Sequence, residues 1–148
     1  TLAKIAGDDG RCWHRMGDVG WFGEDDRLWF CGRKAHIVEA AAGRMFTIPC
    51  EAIFNEHMRV FRSALVGVGA KPDQKPVIIV EPEAGKFPES ESDQKKFREE
   101  LLQLGRESSL TESIETVLFH WSLPVDIRHN VKIFREKLTP WAEEQLQI

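Results

Sequence analysis

The sequence predicts an α+β fold, a short β-hairpin segment followed by a small unit whose short, mainly antiparallel sheet is flanked by helices. Three observations carry that expectation. Residues 11–33 alternate short apolar and aromatic runs with Gly and Asp punctuation, as strands joined by tight turns do. Residues 60–68 and 76–80 are rich in β-branched side chains and are separated by Gly67, Gly69 and Pro72. Phe97, Leu101, Leu102 and Leu104 supply the apolar stripe of an amphipathic helix that ends at Gly105 or soon after.

Taken in order, residues 13–15, 20–22 and 27–31 read as strands, with Glu24, Asp25 and Asp26 as the turn between the last two. Residues 37–38 and 45–48 form a further short pair around Gly43. Pro49 suits a first helical position, Thr47 offers a capping oxygen, and Glu51 through Asn55 carry the helix to about His57. Residues 60–68 and 76–80 read as antiparallel neighbours, and 82–92, with Pro82, Gly85 and Pro88, as a surface loop. Residues 117–121 are expected to be a buried strand. Thr139 and Pro140 should open a final helix, with Glu143 and Glu144 near the positive end of its dipole. Composition shifts near residues 33–43, from Trp- and Gly-rich hairpin to mixed α and β, and suggests a boundary there.

The 148 residues suffice for one domain with an ordinary core, and 42% apolar with 30% charged residues is a globular composition. A net charge of −4 with interspersed signs gives no basic footprint for nucleic acid, and no apolar run approaches membrane-spanning length. The chain opens on Thr-Leu-Ala-Lys-Ile, which suggests a piece of a longer polypeptide. Cys12, Cys31 and Cys50 are odd in number and widely spaced, so buried thiols in a reducing cytoplasm are expected rather than disulfides or zinc. The five His lack paired ligand spacing, and no metal site is expected. The five Trp are expected in hairpin and core packing, with Trp13, Trp21 and Trp29 as alternatives for a contact with another domain.

Three side chains are candidates for chemistry. Asp18, in a Met-Gly-Asp turn, offers two oxygens to vicinal hydroxyls such as those of ribose; the plainer alternative is a turn Asp bonding its own backbone. Arg33, after Gly32, presents a guanidinium fork suited to phosphate or sugar, or else a solvated strand end. Lys132, eight residues after Pro124 in a basic stretch, reads by itself as a surface charge, and a functional reading becomes worth stating only because all three side chains occur together in this order.

Together and in this order the segments resemble the adenylate-forming superfamily, which includes acyl-CoA synthetases, luciferases and peptide-synthetase adenylation domains. The Gly-Asp turn and the Gly32-Arg33 turn come first. Gly43 through Ile48-Pro49-Cys50-Glu51 matches a Gly…Ile-x-Pro-x-Glu segment with one extra residue, and Ala64-Leu65-Val66-Gly67-Val68 matches the strand that follows. Leu123-Pro124 and Lys132, with Arg135 and Leu138 after it, match the loop that carries the catalytic Lys. Met16 stands where Thr is usual, Val131 where Gly precedes the Lys, and the hinge position falls on Ala35 beside Lys34. The wording around Cys31–His36, Thr47–Asn55 and His129–Leu138 is similar to the β-lactone synthetases of bacterial long-chain olefin biosynthesis.

The resemblance implies that 1–33 is the tail of a large adenylation domain and 34–148 a C-terminal lid that rotates about the hinge at Lys34 and Ala35. It implies ATP as cosubstrate, with Mg2+ bound mainly by the large domain. Lys132 would be catalytic, and Asp18 and Arg33 would bind the nucleotide. The substrate implied is a long-chain β-hydroxy acid, adenylated and closed to a β-lactone with release of AMP. The implied partners are the large domain in cis and other enzymes of the olefin pathway. An acyl-CoA synthetase or acyl-AMP ligase, and a non-enzymatic α+β interaction module, remain as alternatives.

Overall fold

The computed structural model describes residues 4–126 and 128–148, with 129–131 by their backbone alone. It is the expected α+β fold. Four strands come first: β1 (Lys4–Ala6) pairs with β2 (Cys12–His14), and β3 (Asp18–Phe22) with β4 (Leu28–Arg33), both antiparallel. Trp21 and Trp29 are direct cross-strand partners whose rings stack 6.2 Å apart. A 3-10 turn, Lys34–His36, leads to the pair β5 (Val38–Ala40) and β6 (Gly43–Met45), then to helix α1 (Thr47–Asn55).

The main sheet has the order β7-β8-β9: β7 (Val60–Val68), β8 (Lys75–Pro82) and β9 (Thr116–Phe119). The first two are antiparallel as expected, and β9 runs parallel to β8 after the crossover through helix α2 (Glu91–Arg106). A last hairpin, β10 (Val125–Asp126) with β11 (His129–Ile133), precedes helix α3 (Arg135–Leu146).

Two cores lie on opposite faces of this sheet. Side chains alternate along a strand, so Leu65, Ile78 and Val80 join Phe54, Phe97 and Leu101 of α1 and α2 on one face. Ala64, Val66, Val77 and Ile79 join Ile133, Leu138 and Ala142 from β11 and α3 on the other. Each helix is set by its buried stripe. In α1 the buried residues are Thr47, Cys50, Glu51 and Phe54, the spacing of a single helical face. In α2 they are Phe97, Leu101 and Gly105, and a Cβ on Gly105 would come within 3.0 Å of the Phe54 ring. The Ser90 hydroxyl caps α2 by accepting from the Asp93 N–H at 3.1 Å.

Several expectations are corrected. Helix α1 starts at Thr47, so Pro49 is its third residue and Thr47 a buried core position; Phe46 is the cap and makes no side-chain bond. Trp121 lies outside β9 and is 75% exposed, stacked on Phe87 at 3.7 Å, because the strand ends at Phe119. Helix α3 begins four residues before Thr139, where Leu138 and Ala142 turn one face into the second core. Thr139 therefore donates its hydroxyl back to the Arg135 carbonyl (3.3 Å) instead of capping, and Pro140 sits inside the helix. Glu143 and Glu144 lie toward its C-terminal end, and Glu136 occupies the first turn. Cys12 is exposed, unlike Cys31 and Cys50. Trp13, Trp21 and Trp29 are also more than half exposed, so they form no part of the core.

Candidate functional site

Asp18 opens β3 and Arg33 closes β4, so an antiparallel register makes them face each other at the open end of one hairpin. The register slips by one between Val19↔Gly32 and Gly20↔Phe30, leaving Cys31 as the extra residue of a bulge, a device that bends a strand and re-aims its end. Gly32 takes φ +118° there, and a Cβ would collide with the Thr47 hydroxyl, so only glycine lets β4 lie against the start of α1. Beyond the bulge the Arg33 guanidinium binds the Asp18 carboxylate (Nε to Oδ1, 3.0 Å) and donates through Nη1 to the Met16 carbonyl (2.9 Å). The Lys34 N–H donates to the Gly17 carbonyl (2.9 Å), so the Gly-Asp turn is fastened to the strand end by three bonds.

Lys132 arrives from the opposite side of the chain, on β11, exposed and with its ammonium 5.8 Å from the Phe134 ring. It shares with Arg33 the wall of a cleft of about 1180 Å³ that is also lined by Gly17, the 3-10 turn and the start of α1. Asp18 is not itself on that wall and reaches it through Arg33. The expected hinge residues Lys34 and Ala35 both line the cleft.

Three further cations complete the charge pattern, of which the sequence had named only Arg135, as part of the loop after Lys132. Arg44 from β6, Lys71 from the β7–β8 turn and Arg135 from α3 join Arg33, Lys34 and Lys132, against Glu39 as the one acidic side chain among the described residues of the lining. Such a concave, one-signed surface concentrates polyanions. His36 reports the same field: burial first, then the Arg135 charge, with Arg33 and Lys132 contributing and Glu136 opposing, hold its pKa below the ordinary 6.5.

Beneath the cleft lies a buried ion pair. Glu51 of α1 takes both its oxygens to Arg135 Nη2, at 2.6 and 2.8 Å, and Oε1 also accepts the Leu65 N–H of β7 at 2.8 Å. Burial pushes the Glu51 carboxyl upward, against the pull of Arg135 and the Leu65 N–H. A second buried carboxylate, Glu81 of β8, accepts from Arg62 Nε (2.6 Å) and from the Leu123 N–H (2.7 Å). No group of three His, Cys, Asp or Glu side chains converges among the described residues.

No family model matches the chain. Its fold nevertheless points to one class, since it is that of the C-terminal domain of adenylate-forming enzymes. The chain is similar to the olefin beta-lactone synthetase of Xanthomonas campestris pv. campestris, 48% identical over 136 residues, which are 89% of this chain and 23% of that protein. The olefin beta-lactone synthetase of Stenotrophomonas maltophilia is 44% identical over 143 residues, 97% of this chain and 25% of that one. The chain thus spans about a quarter of the length of the curated relatives it matches. Among solved structures, the amide bond synthetase McbA from Marinactinospora thermotolerans superposes with a TM-score of 0.71 at 27% identity, over 92% of this chain and 26% of that one. The anthranilate CoA ligase AuaEII in complex with anthranoyl-AMP gives a TM-score of 0.75 at 19% identity, over 94% and 26%, a likeness of fold alone.

Proposed function

We propose that this chain is the nucleotide-binding hairpin (1–33) and the C-terminal lid (34–148) of a cytoplasmic ATP-dependent enzyme. That enzyme adenylates a long-chain β-hydroxy carboxylic acid and closes it to a β-lactone with release of AMP. The observation that carries this reading is the cationic cleft, which brings Lys132 and Arg33 onto one wall from positions 99 residues apart in sequence. The olefin beta-lactone synthetases, at 44% and 48% identity, support the substrate class.

In the first step a carboxylate oxygen of the acid attacks the α-phosphorus of ATP. The bond from that phosphorus to the bridging oxygen breaks, and pyrophosphate leaves with the electron pair. Two anions meet, so a positioned ammonium lowers the barrier most, and Lys132 takes that role. Asp18 accepts from the ribose hydroxyls, and Arg33 holds Asp18 in place and faces the phosphates. In the second step the substrate's own β-hydroxyl oxygen attacks the acyl carbon, the proton passes to solvent, and AMP departs. The exposed aromatic side chains of β2 to β4, with Trp13 at 60% and Phe22 at 71% exposure, support a face covered by the large domain. Mg2+ would accompany ATP in such a reaction, bound mainly by the large domain.

The test is Lys132→Ala in the full-length protein, read by ATP–pyrophosphate exchange with a β-hydroxy acid. A loss of about a hundredfold or more is expected with the fold intact, and wild-type exchange would remove Lys132 from the chemistry. AMP release should also proceed without coenzyme A; a strict requirement for it would favour an acyl-CoA synthetase.

A further inference from the structure

Lys132 sits on a hairpin too short to be stable by itself. The β10–β11 ladder is two strands with an irregular register, Val125↔Ile133 and Asp126↔His129, and an isolated hairpin of that size is marginal in water. Its geometry comes from Ile133, whose side chain packs into the second core with Val125 against it, and from the bonds at its ends. At the entrance the Leu123 N–H is tied to Glu81 at 2.7 Å, and the Phe134 N–H bonds the Pro124 carbonyl at 2.8 Å. At the exit, three residues beyond Lys132, Arg135 is tied to Glu51. Glu51 itself is fixed on two elements, by its place on the buried face of α1 and by the Leu65 N–H of edge strand β7.

We propose that Glu51 is a positioning residue for the reaction, which acts through Arg135 to hold the exit of the β10–β11 hairpin and so to aim the Lys132 ammonium. This rests on Lys132 being the adenylating ammonium. Glu51 does not line the cleft, so any effect it has on catalysis must pass through a neighbour. Arg135 is that neighbour. It lines the same cleft as Lys132, its side chain is only 13% exposed, and its Nε is buried without a hydrogen-bond partner, so the bonds to Glu51 set the plane of its guanidinium. A displacement of about an ångström at the reacting atoms costs on the order of a hundredfold in rate.

The experiment is a double-mutant cycle in the full-length protein between Glu51→Gln and Lys132→Ala, read by kcat and KM for ATP in ATP–pyrophosphate exchange. Glu51→Gln retains an acceptor for the Leu65 N–H and removes the charge that holds Arg135. Alone, it should lower kcat by roughly ten- to a hundredfold while KM for ATP stays within about twofold. In the Lys132→Ala background it should change the residual rate by less than about twofold, because the group it aims is gone. Where Glu51→Gln does not yield folded protein, Glu51→Asp, which keeps the charge and shortens the reach, enters the same cycle with the same expectation. The positioning role is overturned if the folded Glu51 variant exchanges at the wild-type rate. It is equally overturned if the losses multiply in the double variant, as for a residue that only supports the fold. A wild-type rate for Lys132→Ala alone overturns both this inference and the reading beneath it.

Discussion

Asp18 and Arg33 are cross-strand partners at the mouth of one hairpin, joined by a 3.0 Å ion pair, although 15 positions separate them in the chain. Both side chains are partly open to solvent, at 34% and 51% exposure, so the pair adds at most about 1 kcal/mol to stability. Its value lies in orientation. One Asp18 oxygen is occupied by Arg33 Nε, which fixes the carboxylate and leaves the other oxygen for a ligand hydroxyl.

Asp18→Ala in the full-length protein should therefore separate binding from folding. The expected outcome is a rise in KM for ATP of roughly tenfold or more, from the loss of a charged acceptor, with a melting temperature within about 2 °C of wild type. Unchanged nucleotide affinity by calorimetry would count against the ribose role.

Gly32 carries the opposite signature. Its φ of +118° and the collision that a Cβ would make with the Thr47 hydroxyl mean that Gly32→Ala is strained in the backbone and overpacked at once. A destabilisation of about 2 kcal/mol or more is expected, or roughly 4–8 °C for a chain of this size. A melting temperature equal to wild type would show that the contact between β4 and α1 is not held as described.

The three thiols should react in two classes. Burial, reinforced by the adjacent Glu51 charge and opposed by an N–H bond at Phe46, raises the Cys50 pKa to about 11, and Cys31 is buried as well, whereas Cys12 is exposed. A thiol reagent at about pH 8 should modify one cysteine quickly and the other two only after denaturation, because the thiolate is the reactive form. Rapid native labelling of Cys50, mapped by mass spectrometry, would contradict this.

His36 gives the chain an acid-side weakness. Its folded pKa lies below 6.5, chiefly through burial, with Arg135, Arg33 and Lys132 adding to the effect. While both states are neutral it costs nothing. As pH falls past 6.5 the unfolded chain binds a proton that the folded chain resists, and stability declines. The loss deepens until the folded value is passed. Replacing His36 by Gln should flatten the melting temperature between pH 7 and about pH 5.5; an identical slope in wild type and variant would exclude this source.

Much of the fold was legible because local pattern and tertiary demand agree. The β-branched runs that became β7 and β8, the Gly-Asp punctuation around β3 and β4, and the Phe97–Leu101 stripe of α2 all serve the core that they predict. Helix α3 shows where agreement ends. Thr139 and Pro140 are a strong local start signal, yet Leu138 and Ala142 must face the second core, and Arg135 finds its partner 84 residues upstream. Packing outweighs the cap. The candidate ligand contacts Asp18, Arg33 and Lys132 could be named from residue type and order, but not the ion pair that joins the first two. Glu51 could be named as part of a matched segment, but its partner could not, because Arg135 lies 84 residues away and only the three-dimensional arrangement puts the buried carboxylate beneath that cation.

Strand β8 has a consequence for how the molecule comes apart. Val77, Ile78, Ile79 and Val80 are all fully buried, two to each face, so neither core can open while its neighbour stays intact. Heat or denaturant should melt the sheet with α1, α2 and α3 in a single step, with amide protons at 77–80 exchanging only on global opening. The β1–β2 ribbon shares no side chain with either core and should lose its amide protection long before.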